Sequence, residues 1–269
     1  MREAIGARGP GRAPLCPESE RAFLGVAALL FAVAAALTVA WCGSMPAMPM
    51  CGPAPAMAWT RMPGQGWIAA AVRFLGLWAV MTAAMMLPAL LPMLRRYRRA
   101  IHAMAGPRLH RLTALASLAY WCVWIAPGAA VFCLGMLLAR MEMRWPALIR
   151  AAPLAAALVL LAAAALQFSD WKRRYLARCR RAPVRCLRAT DDAAWRHGLR
   201  MGLDCVRSCA GLTAVLVVLG SMDLRVMAGV TAAVSLERLA PRDLRVAQVV
   251  GIALIAAGLL QLLRATGPA

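Results

Sequence analysis

Charge is scarce in this chain: Asp, Glu, Lys and Arg together make up 16% of its 269 residues, against 62% apolar types. That balance argues against a soluble globular domain and for a membrane protein. Lysine is all but missing, with Lys172 the only one. Beside the alanine richness, this marks a coding bias rather than a selection for guanidinium chemistry. Histidine is confined to His102, His110 and His197, scattered over polar segments, and Cys179 and Cys186 lack the close spacing of a zinc knuckle. None of these five is given a role. A phosphate-binding glycine loop, an HExxH helix, a nucleophile elbow and a Rossmann glycine pattern are also absent, so an ATPase or classical hydrolase has no support and the chain is read as a non-enzyme. No internal repeat is visible, and no polar stretch is long enough to fold as an aqueous domain.

What is present is length of apolar run. Residues 22–41, 74–94 and 112–139 are uncharged over 20, 21 and 28 residues, and about 20 suffice to cross hydrocarbon as a helix. Pro127 predicts a kink in the third. A fourth helix is expected over 152–169, a fifth over about 201–222 with Asp204 and Arg207 near its start, and a last one over 246–263. Residues 226–236 are too short for a straight span and read either as a tilted helix extended through Asp223 or as a re-entrant segment. The expected fold is an all-α transmembrane bundle of about six spans plus this short segment, a single membrane domain over residues 22–264 behind a basic tail, 1–21. The 20-residue first run exceeds a signal-peptide core, so it is read as a retained anchor.

The basic excess, a formal net charge of +20, would suit nucleic acid if position were ignored. Position decides otherwise. The tail and the segments 95–111 and 170–200 hold twenty basic residues, against five in the two alternate loops, and a Lys/Arg bias of this kind sets topology. The tail and those two loops are therefore expected in the cytoplasm of a bacterial inner membrane, and the loop 42–66 outside, with lipid as partner and no nucleic acid.

That outer loop carries Met45, Met48 and Met50 beside Cys42 and Cys51, with Met57 and Met62 following, and its prolines rule out a regular helix. Clustered thioethers select Cu(I); against this, methionine is also a flexible gap-filler, and Cys42 and Cys51 suit a disulfide as well as a metal. In the second helix Met81 and Met85 stand at i and i+4 with Trp78 one turn before, a stripe compatible with ligation or with packing. The strongest constellation is Met201, Cys205 and Cys209, repeating every fourth residue on one helical face and offering a thioether and two thiols. Asp204 and Arg207 lie alongside, and ionisable groups at membrane depth are costly enough to mark a site. An Arg207 guanidinium near the thiols would favour thiolate.

These pieces, Trp78, Met81, Met85, Met86 and Pro88; Gln167, Lys172, Leu176, Cys179, Arg180 and Pro183; Gly198, Gly202, Cys205 and Cys209; Gly220, Met222, Met227 and Glu237, fall in an order that resembles the bacterial family catalogued as domain of unknown function 2182, described as predicted metal-binding integral membrane proteins. The resemblance spans roughly residues 67–263. Where that family shows a glycine, adjacent cysteines and a tryptophan, this chain has Arg207, Ser208, Cys209 and Ala210, and Asp223 and Arg238 stand where asparagine and lysine are expected. The resemblance implies metal handling; the clustered thioethers put Cu(I) first among soft metals, and a metalloprotein or metal chaperone is the expected partner. The metal set is Met45, Met48, Met50, Cys51, Met81, Met85, Met201, Cys205 and Cys209. Two other classes stay open: a transporter whose path is lined by Asp204, Arg207, Asp223 and Glu237, and an assembly subunit of a membrane metalloenzyme.

Overall fold

The computed structural model describes residues 17–44, 66–145, 147–180, 188–220, 223–240 and 245–266. Met45, Met48, Met50 and Cys51 lie outside the described residues. Within them the chain forms α1 (Pro17–Ser44), α2 (Trp67–Ala105), α3 (Leu109–Arg144), α4 (Ala147–Phe168), α5 (Asp170–Arg180), α6 (Asp191–Gly220), α7 (Leu224–Leu239) and α8 (Val246–Thr266), with one 3-10 turn at Gly106–Arg108 and no strand.

The helices outrun the apolar windows that announce them. α1 opens at Pro17 with Glu18 and Glu20 in its first turn, where a missing N–H costs nothing and negative charge meets the helix dipole. α2 continues through the arginine-rich stretch after residue 94, because arginine, alanine and methionine all favour helix, and ends at Gly106, whose φ of +50° suits glycine. The segment expected as a loop from 170 to 200 is instead helix α5 followed, after residues 181–187, by the first turns of α6. α5 is short and amphipathic and buries Lys172 and Cys179.

Cross-helix contacts fix the direction of each leg. Arg98 bonds Thr113 and Trp78 bonds the Trp124 carbonyl, so α3 runs back along α2. Glu20 pairs with Arg95 and Arg99, so α1 is antiparallel to α2. Gly198 meets Ala116 and Gly202 meets Val123, so α6 runs parallel to α3; Gly251 meets Phe168 and Gly258 meets Leu161, so α8 opposes α4. Arg238 reaches Cys205 and Met93, which returns α7 to the end from which α6 started. The result is seven alternating legs, with α5 tucked across one end. We call that end basal; it gathers the arginine-rich segments. Among the described residues, five helical stretches are long and apolar enough to cross a membrane, one of which, Trp67–Met141, contains the reversal at Gly106 and comprises two legs. The short segment is the helix α7, started by Asp223, whose side chain accepts bonds from the Arg225 and Val226 N–H groups. It is a helix of 16 residues, about 24 Å long, that returns toward the basal end and is too short to span hydrocarbon as a straight helix.

The α3/α6 crossing is close because α6 presents glycine there. A Cβ on Gly198 would sit 2.2 Å from the Ala116 carbonyl oxygen, which is backbone and cannot swing away. Gly198→Leu is expected to destabilise the bundle by at least about 1–3 kcal/mol, the range for overpacking, in a reversible detergent-unfolding titration. Gly76→Ala, where a Cβ meets nothing within 4 Å, should be neutral or stabilising in the same assay.

Candidate metal centre

α6 carries Met201, Cys205 and Cys209 on its inward face, and all three are buried, Cys205 completely. Neighbours from four other helices close over them. From α3, the Tyr120 hydroxyl lies 2.9 Å from the Cys205 sulfur. From α7, Arg238 inserts its guanidinium among the sulfurs: Nη2 donates to Cys205 Sγ at 3.0 Å, to Ser208 Oγ at 3.1 Å and to Cys209 Sγ at 3.5 Å. Its Nη1 donates to the Met93 thioether of α2 at 3.2 Å. α5 brings Cys179, whose sulfur lies 3.8 Å from Ser208 Oγ. Burial pushes the Cys179 thiol up from its ordinary range, with Arg238 pulling the other way.

A second polar layer lies beside the first. Lys172 Nζ of α5 pairs with Glu237 Oε2 of α7 at 2.8 Å, both side chains at most 5% exposed. The Gln167 amide faces the same carboxylate, Arg180 donates to the Glu237 carbonyl, and Arg96 donates to the Cys179 carbonyl at 3.0 Å. Breaking the pair strands a buried charge. Glu237→Gln should therefore destabilise the protein by about 3–5 kcal/mol, whereas Lys172→Met with Glu237→Leu should cost far less, because no unpaired charge remains. Detergent-unfolding titrations of both variants check this.

The sulfur face of α6 is thus where its spacing places it, but its charged neighbours are not. Asp204 faces Arg178 at 3.7 Å and Arg207 stacks over Tyr175 at 5.3 Å, both turned away from the thiols. The guanidinium beside the sulfurs is Arg238, which local spacing in α6 has no means of indicating. Its signal is an arginine directly after a glutamate at the end of an apolar helix. Cys179, given no role from the sequence, and Lys172 also belong to the site's surroundings. Met81 and Met85 lie in the same apolar cluster as the thiols, yet by helical rise they stand about 18 Å and 12 Å along α2 from Met93. The residues expected to line a transport path do not line up: Asp223 is at the far end of α7 and exposed, while Glu237 is buried against Lys172. Among the described residues no three His, Cys, Asp or Glu side chains converge as a metal-holding group; what Arg238 gathers around itself is the Cys205 and Cys209 thiols and the Met93 thioether.

Donor chemistry and charge agree here. Two ionised thiolates around a monovalent soft ion carry one net negative charge, and Arg238, permanently cationic and without a carboxylate partner among the described ion pairs, would balance it. The fold and site define a helical bundle of apolar legs enclosing two buried thiols with an arginine between them. Within that class the chain is a member of the family described as PpoB2, copper chaperone, whose family model matches residues 75–261, from early α2 into α8. No curated protein and no solved structure matches the chain.

Proposed function

We propose that the protein is a membrane-embedded copper chaperone that holds one Cu(I) ion as cargo between the thiolates of Cys205 and Cys209 and passes it to a metalloprotein partner. The observation that carries this reading is the Arg238 guanidinium buried among the sulfurs. Burying a cation without a carboxylate is expensive, and the cost falls when thiolate or a copper–dithiolate unit supplies the opposite charge. Cu(I) accepts two thiolates readily, and the Met93 thioether stands ready as a third, uncharged donor once the guanidinium yields to the ion. Tyr120 and Ser208 hold the Cys205 side of the pocket by hydrogen bonding.

Exposed Val26, Leu29 and Val33 on α1, Leu134 and Leu137 on α3, and Ile252 and Leu263 on α8 give the bundle an apolar girdle suited to lipid. The arginine-rich basal end then faces the cytoplasm of a bacterial inner membrane, by the Lys/Arg bias, and the thiol centre lies on that side. Copper titration of the detergent-purified chain against a competing Cu(I) chelator tests the function. One ion per chain with two or three sulfur neighbours by X-ray absorption supports it, and oxygen or nitrogen neighbours alone would remove it.

A further inference from the structure

A furrow runs along α2 between α1 and α3. Its lower part is a cavity of about 470 Å³ whose lining passes from Arg98, His110, Thr113 and Ser117 at the basal end to apolar side chains such as Leu91 and Trp121 above them. A second cavity of about 380 Å³ follows toward the distal end and shares Leu30, Leu87 and Trp121 with the first. Leu30 and Leu118 are both more than half exposed, so the furrow opens sideways onto the apolar girdle. At its foot stands Arg98, whose side chain is 1% exposed and stacks over the Phe23 ring of α1 at 4.6 Å. Its hydrogen bonds go only to neutral groups: Nη2 donates to Ser19 Oγ at 2.9 Å and to the Ser19 carbonyl at 3.3 Å, and Nη1 to Thr113 Oγ1 at 3.3 Å. Nε is buried with no acceptor. Among the described residues no carboxylate pairs with Arg98; Glu20 pairs instead with Arg95 and Arg99.

We propose that the furrow between α1 and α3 binds an anionic phospholipid of the basal leaflet, with its phosphate at Arg98 and one acyl chain lying along α2 toward Trp121. This rests on the membrane setting of the proposed function and is independent of the copper centre. Burying a guanidinium without a carboxylate is costly, and a phosphate at the foot of the furrow supplies the missing charge. The 3.3 Å contact from Nη1 to Thr113 is the bond given up, in exchange for a stronger, charge-assisted one. Thr113 loses nothing by this, because its hydroxyl donates to the Leu109 carbonyl at 2.7 Å. The depth fits as well. Arg98 lies four residues beyond Leu94, where the uncharged run of α2 ends, and a basic pocket between helices at that level is suited to lipid headgroups. From Arg98 up to Leu87 is eleven residues, about 16 Å, the depth of one leaflet in a hydrocarbon core about 30 Å thick. Charge selects the headgroup: Arg95, Arg98 and Arg99 share the single carboxylate of Glu20, so the rim is net positive and disfavours a headgroup that carries an ammonium.

The full chain is reconstituted in phosphatidylcholine vesicles that carry a minor fraction of phosphatidylglycerol brominated at mid-chain. Bromine quenches tryptophan on contact, and the difference between the parent and Trp121→Phe isolates the Trp121 signal, so occupancy of the furrow is read directly. Brominated phosphatidylglycerol should occupy the furrow about tenfold more readily than brominated phosphatidylcholine at the same fraction, the equivalent of 1.4 kcal/mol. Arg98→Gln should make the two lipids equal. Ala114→Phe, at an exposed position that lines the furrow, fills it with an uncharged side chain and should bring quenching by both lipids down to one common level; this arm does not depend on the Arg98 variant folding. Equal quenching by the two lipids in the parent overturns the proposal, and so does a preference that survives in Ala114→Phe, which would put the lipid elsewhere. Preference for a brominated fatty acid over phosphatidylglycerol also overturns it, by assigning the furrow to a carboxylate amphiphile. Copper uptake enters none of these outcomes, so the furrow and the thiol centre stand or fall separately.

Discussion

Serine in place of both Cys205 and Cys209 is expected to weaken Cu(I) binding by on the order of a thousandfold, about 4 kcal/mol, while the helical content stays that of the parent. The hydroxyls keep local hydrogen-bonding capacity beside Tyr120 and Arg238, so the bundle has no new orphaned group, but a neutral hydroxyl is a poor donor to a soft ion. The pH dependence separates ligation from packing. Protons compete with copper for sulfur, so parent affinity should fall as pH is lowered, and this dependence should largely vanish in the double variant. Chelator competition at several pH values reads both effects. If the two cysteines served only as small buried hydrophobes, the variant would lose stability and keep its copper.

Removing the positive charge of Arg238 should have the next largest effect. Arg238→Leu leaves a copper–dithiolate unit with uncompensated negative charge in a low-dielectric interior, and Cu(I) affinity is expected to drop by about 10–100-fold, the range for loss of a supporting interaction around a metal. Arg238→Lys keeps the charge with fewer donors and should recover most of that loss. The comparison excludes two rival roles. A guanidinium that merely filled space would make leucine and lysine equivalent, and one that chiefly competed with copper for the sulfurs would make the leucine variant bind more tightly than the parent. Chelator competition on the three proteins distinguishes these outcomes.

Arg238 also shows where sequence reading stops. The repeat of Met201, Cys205 and Cys209 is a property of one helix, and helical periodicity is local, so the shared face is legible from spacing alone. Which charge meets that face depends on how α7 returns beside α6 and α2, and 29 residues separate Arg238 from Cys209 along the chain. Arg207 is the natural choice on local grounds. It lies two residues from Cys205, but a step of two in a helix turns a side chain to the opposite side, and there it meets Tyr175. Cys179 escapes notice for the same reason: its spacing to Cys186 is uninformative, and only the docking of α5 against α6 brings it to Ser208.

The sequence by itself determined the helical class, the long apolar legs and the basic character of one end, because run length and charge segregation act locally and additively along the chain. It also determined the thiol pair on α6. The tertiary structure alone decided that residues 224–239 return as a seventh leg and that the polar stretch after residue 170 folds under the bundle as α5. It alone decided too that Arg238, Tyr120, Met93 and the Lys172–Glu237 pair assemble around sulfur. Those are matters of which helices touch, and here the deciding steric feature is small: Gly198 and Gly202 let α6 approach α3 until Tyr120 reaches Cys205.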